Sequence, residues 1–181
     1  MTELPPYTED IAFRFVFEHK LEACCELSVG ENVIKIGPFG HGTRAFTNLA
    51  RFGCALALGS IRECCAFEGF GKGDAWRLVG QYETGRFVFR ALRVEDAWID
   101  QDGELDKILI ECTTSAVSVA QAVLKALQSI DELEFLEIYR DHYPGRGVAA
   151  LTAALSTEDT APPIDKAHTV HAADLRSSRQ S

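Results

Sequence analysis

Residues 76–130 read WRLVGQYETGRFVFRALRVEDAWIDQDGELDKILIECTTSAVSVAQAVLKALQSI. Apolar and polar residues alternate through Trp76–Tyr82 and again through Arg86–Val94, the period of strands with one buried face. Glu83-Thr84-Gly85 between them is short enough for a hairpin, so the two strands pair antiparallel. An acidic stretch follows, then a third strand at Lys107–Cys112. After it the period changes. Ala116, Val117, Val119, Ala120, Val123, Leu124, Leu127 and Ile130 leave only the narrow polar stripe Ser118, Gln121, Lys125, Gln128 and Glu132. That is a helix buried on most of its circumference, with Thr113 or Thr114 as its N-cap.

Working outward, the same periods recur upstream. Ile11, Phe13, Phe15 and Phe17 alternate with Ala12, Arg14, Val16 and Glu18, and Leu21–Val29 alternates likewise. A third strand is expected at Val33–Ile36. A first helix is expected from Thr43, as N-cap, to about Leu58, with Phe46, Leu49, Ala50, Gly53, Leu56 and Ala57 on one face and Gly59 as its stop. Ile61–Glu68 reads as a fourth strand. Downstream, Ser129-x-x-Glu132 and Asp131-x-x-Glu134 resemble capping boxes, so a kink or a new helix is expected there, running to Tyr143.

The order βββα, then ββββα, with tight turns between consecutive strands, predicts an α+β fold. It should hold an antiparallel sheet of six to seven strands, with two main helices packed on one face. Residues 1–144 should form a single domain. Residues 145–181, rich in Ala, Ser, Thr, Asp and Pro, predict a disordered tail with one short helix within 147–155.

Charge narrows the functional classes. The 181 residues carry a formal charge of −9, and residues 1–144 hold 14 basic and 23 acidic side chains. An acidic body repels phosphate backbones and anionic lipid, so neither nucleic acid nor a membrane surface is expected as a partner. The first ten residues include Glu3, Glu9 and Asp10, two prolines and no basic residue, unlike a secretory signal. No apolar run approaches the ~18 residues of a membrane span. A cytoplasmic location follows, and with it reduced thiols for Cys24, Cys25, Cys54, Cys64, Cys65 and Cys112. They read as core filler, since no CxxC and no finger-spaced His is present. Neither a metal nor a cofactor is expected. A nucleophilic Cys would need His41 or His142 brought near in space.

Two segments invite a functional reading. Gly37-Pro38-Phe39-Gly40-His41-Gly42-Thr43-Arg44 follows a strand and opens a helix. Its glycines match a P-loop at Gly37 and Gly42, but Thr43 stands where the lysine belongs and Arg44 where the hydroxyl belongs. What survives is an anion site at a helix start, using Gly40, His41, Gly42, Thr43 and Arg44. The second segment holds Glu95, Asp96, Asp100, Asp102, Glu104 and Asp106. It fails as a calcium loop, because aligning Gly103 at the sixth position puts Trp98 first and Leu109 twelfth. It reads as a solvated hairpin loop that offers a docking surface for a basic protein. Gly69-x-Gly71-x-Gly73 has no helix after it, so dinucleotide binding is not expected.

The block W-R-L-V…G-R-F-V-F-R-A-L-R-V-E-D…I-L-I-E-C…A-V-L-K-A-L, ending near Ile138-Tyr139-Arg140, resembles small uncharacterised bacterial α+β proteins, some immunity-protein-like in build. The resemblance spans residues 11–143 and brings no active-site motif with it. It implies a non-enzymatic, stoichiometric protein-binding module using an acidic surface. The alternatives are a small-molecule or anion-binding protein built on the Gly37–Arg44 turn, and a structural homodimer.

Overall fold

The computed structural model describes residues 4–19, 22–40, 44–69, 75–94, 106–138 and 143–158. Seven strands and four helices appear in the order β1 (Ile11–His19), β2 (Glu22–Val29), β3 (Asn32–Gly40), α1 (Ala45–Ala57), β4 (Arg62–Glu68), β5 (Ala75–Glu83), β6 (Arg86–Val94), β7 (Asp106–Thr114), α2 (Ala116–Gln128), α3 (Glu132–Ile138) and α4 (Gly145–Glu158). The fold is α+β and every strand pairing is antiparallel, as the alternation and short turns predict.

The strands form two sheets, β1-β2-β3 and β4-β5-β6-β7. Each sheet is a meander of sequence neighbours, as short turns require. Their edges meet at two isolated bridges, Phe39 with Gly69 and Tyr7 with Thr113. At the second, the Thr113 amide donates to the Pro6 carbonyl at 2.9 Å and the Thr8 amide donates to the Thr113 carbonyl at 2.9 Å. The apolar faces of both sheets share one core with the helices. Phe13 meets Phe89 across the sheets at 6.3 Å between ring centroids. Phe46 on α1 is the hub of an aromatic cluster, with Phe15, Phe39 and Phe135 at 4.8, 5.8 and 5.0 Å. Buried rings in such edge-to-face contacts gain ~0.5–1.5 kcal/mol per pair beyond area burial.

The outer faces carry charge in register. Arg14 on β1 stands opposite Glu26 on β2 and its Nε donates to the carboxylate at 2.8 Å. Arg90 on β6 is gripped from both sides, by Glu83 on β5 and Glu111 on β7. Its Nη2 donates to Glu83 Oε2 at 2.9 Å. The guanidinium hydrogen bonds hold the Glu83 carboxyl down at about 2.

The helices depart from expectation in instructive ways. Arg44, not Thr43, is the N-cap of α1, in the left-handed region at φ 53° with no side-chain cap. Ser115, not Thr113 or Thr114, caps α2, its hydroxyl accepting from the Ser118 amide at 2.9 Å. Both threonines are taken up by β7, which runs on to Thr114. The Ser129 hydroxyl donates back to the Ala126 carbonyl and does not open a capping box. A separate short helix, α3, does begin at Glu132.

Helix α4 is longer than the short segment expected, and it packs on α1 and α2. Leu151 is fully buried and Ala154 nearly so. A boundary at residue 144 therefore falls inside the packed body. Small residues allow the approach: a Cβ at Gly147 would lie 2.7 Å from the Ala50 Cβ, and one at Gly53 only 2.9 Å from Leu151 Cδ2. Among the described residues, no helix is long and apolar enough to cross a membrane.

Candidate functional site

A crevice of about 420 Å³ opens between β3 and one end of the four-stranded sheet. Its geometry starts with a bulge. Ala23 pairs with Phe39 and Cys25 with Ile36, so Gly37 and Pro38 both stand against Cys24. Such a two-for-one mismatch bends the strand locally. Gly37 has φ 119°, and a Cβ there would lie 3.1 Å from the Ala23 carbonyl oxygen and 3.2 Å from the Cys24 Cα. Only glycine accepts both the dihedral and the close backbone. The Gly37–Pro38 peptide is cis.

The other wall comes from β5, β6 and β7. Trp76 pairs with Arg93, and a second bulge displaces Leu109 between the pairs Ala91–Ile110 and Leu92–Ile108. Trp76, Arg93 and Leu109 line the crevice with Gly69, Ile34 and Lys35. Trp76 is almost buried, Arg93 half-buried and Lys35 exposed. The lining thus joins an aromatic side chain and aliphatic walls to two cations, in a space of ligand size, for which ~300 Å³ is a usual lower bound.

Of the anion turn expected from sequence, Gly40 is buried at the end of β3, and Arg44 is exposed at the start of α1. His41, Gly42 and Thr43 lie outside the described residues. Neither Gly40 nor Arg44 lines the crevice; Gly37 and Pro38, from the same segment, do. Glu95, Asp96, Asp100, Asp102 and Glu104 also lie outside the described residues. Asp106 opens β7, opposite Val94.

The cysteines behave as core. Cys24, Cys25, Cys65 and Cys112 are buried and all six are free thiols. Burial pushes the Cys25 thiol up to about 12 and Cys112 to about 11, and drives Cys65 higher still. A thiol held protonated is a poor nucleophile and metal ligand. His41 and His142 lie outside the described residues. Among the described residues, no group of three His, Cys, Asp or Glu is placed to hold a metal ion.

A second recess, about 510 Å³, lies at the opposite end of the four-stranded sheet, beside the start of α2. Sequence reading passed it over, taking Thr113-Thr114 only as a helix cap. The sole local signal was the run of three hydroxyl residues, Thr113-Thr114-Ser115.

Comparison with known protein families, with characterised proteins and with solved structures finds no match to this chain. The site is therefore read from its own residues.

Proposed function

We propose that this chain is a small-molecule-binding protein whose ligand is a flat organic anion seated in the crevice between the sheets. The observation that carries this reading is the joint lining of one ligand-sized crevice by Trp76, Arg93 and Lys35. A guanidinium beside an aromatic wall favours a planar, negatively charged partner, which it can meet by both charge and stacking. The anion turn inferred from sequence contributes its first two residues, Gly37 and Pro38, whose bulge forms the floor. The lining supplies charge and shape, which is what binding uses.

The test is a thermal-shift series with planar organic anions, 2-naphthalenesulfonate among them. A ligand selective for the native state raises the melting temperature, by mass action. Leu109→Trp, which fills the crevice, should abolish the shift. A shift that survives Leu109→Trp removes the reading.

A second reading, docking of a basic protein on the acidic stretch, is favoured by one observation. β6 ends at Val94 and β7 begins at Asp106, directly across from it, so the chain leaves and re-enters at the crevice end of the sheet. A partner captured by wild type and equally by the triple variant Asp100→Asn, Asp102→Asn, Glu104→Asn would dispose of it.

A further inference from the structure

The second recess joins three features that one kind of ligand would use. The first is the start of α2. The Ser115 hydroxyl takes the Ser118 amide, and the Ser115 carbonyl takes the Val119 amide. The amides of Ala116 and Val117, at the first two helical positions, have no intrahelical acceptor. That end of a helix carries roughly half a positive charge, and the first turn of α2 holds no acidic side chain to neutralise it.

The second feature is Thr114. It is only 5% exposed, and its Oγ1 has no hydrogen-bond partner. A buried hydroxyl without a partner is destabilising, and native folds keep few of them. Strand alternation sets Thr114 on the face of Cys112 and Ile110, with Phe87 as its cross-strand partner, and both Thr114 and Phe87 line the recess. A change of χ1 rotamer exchanges its hydroxyl with its methyl and brings the hydroxyl to the recess side.

The third is Arg86, exposed on the β5–β6 turn and lining the recess. Its cross-strand partner Glu83 is already held by Arg90. Tyr7 and Tyr82 complete the lining with half-exposed rings, that of Tyr82 lying 5.3 Å from Phe87. The Tyr7 hydroxyl donates to Glu9 Oε1 at 2.5 Å.

We propose that this recess is a second binding site, for a small aromatic monocarboxylate. Its carboxylate is held by the amides of Ala116 and Val117, the Thr114 hydroxyl and the Arg86 guanidinium. Its ring lies along Tyr7 and Tyr82. One guanidinium and a helix end, about half a charge, balance a single negative charge. A phosphate dianion would carry more than they balance, in a chain of formal charge −9 and beside Glu9. The site is independent of the crevice and stands whether or not the crevice takes a ligand.

The test titrates the full-length ¹⁵N-labelled chain with sodium benzoate at constant ionic strength. Saturable amide shifts are expected at Ala116, Val117 and Ser118. Thr114→Val and Arg86→Gln should each weaken benzoate by ~10-fold or more, the worth of one hydrogen bond to a charged group. Thr114→Val should also melt at or above the wild-type temperature, since it removes an unpartnered hydroxyl at constant shape. A purely structural role for Thr114 would lower the melting temperature and leave benzoate binding unchanged, and that result overturns the proposal. So do shifts that fail to saturate, and so does inorganic phosphate binding these amides more tightly than benzoate.

Discussion

Leu151→Ala tests whether α4 belongs to the core, and its cost can be worked from the structure. Leu151 is fully buried between α1 and α2. Truncation removes three buried carbons at ~0.8 kcal/mol each, about 2.4 kcal/mol, and incomplete collapse of the cavity raises this to ~3 kcal/mol. Urea unfolding followed by far-ultraviolet circular dichroism should show that loss with an unchanged m-value. Gly53 sharpens the test. In an isolated helix Gly→Ala gains ~1 kcal/mol. Here the new Cβ would sit 2.9 Å from Leu151 Cδ2 and 3.1 Å from Val123 Cγ1, and overpacking of that kind costs ~1–3 kcal/mol. Gly53→Ala should therefore be neutral to destabilising alone. In the Leu151→Ala background the closer clash is gone, and the double variant should be at least ~1 kcal/mol more stable than the sum of the singles. A cost for Leu151→Ala under ~1 kcal/mol with zero coupling would refute the docking of α4, because a buried leucine in contact with Gly53 cannot give that result.

Other consequences are equally direct. Arg90→Met should cost ~1–2 kcal/mol at pH 7, the ion-pair geometry being good but partly solvated. Glu83 is lowered from 4.5 to about 2, so its contribution is complete above 4.5 and is lost as pH falls through about 2. The gap between wild type and variant in urea midpoints should accordingly close across that window. Gly37→Ala should destabilise by ~2 kcal/mol, because the backbone dihedral is strained for an L-residue and the atoms it meets are backbone; an unchanged midpoint would contradict the bulge. With an aromatic disulfide reagent at pH 8, exposed Cys64 should label first, while Cys25, Cys65 and Cys112 label only after denaturation.

The strands were legible because each has one apolar face, and Ile11–Phe17 and Trp76–Tyr82 show it without a break. The helix after β7 was legible for the same reason at its own period. What sequence could not place was anything decided between distant segments. Tight turns dictate pairing inside each meander but say nothing across α1, where Phe39 touches Gly69 by a single bridge and leaves two sheets where one was expected. Three hydroxyl residues in a row gave three eligible caps for α2. Ser115 took the role because Thr113 is bonded to the N-terminal segment and Thr114 sits opposite Phe87 in the sheet. Helix α4 read as tail because its contact face is glycine and alanine, which bury little area but allow close approach. The crevice was hidden for a related reason: its lining comes from β3, the end of β4, β5, β6 and β7, between residues 34 and 109. Only Gly37 and Pro38 lay in a segment that drew notice, and there the eye went to Arg44, which faces elsewhere.

The account rests on the crevice, and Trp76 reports on it directly. In a Trp98→Phe variant, Trp76 is the remaining tryptophan. Titration with 2-naphthalenesulfonate should then change its fluorescence along a saturable one-to-one curve, shifted to weaker binding by Arg93→Gln and abolished by Leu109→Trp. A linear, unsaturable change, or a curve that Leu109→Trp leaves intact, would contradict the claim that the space between the sheets is a ligand site.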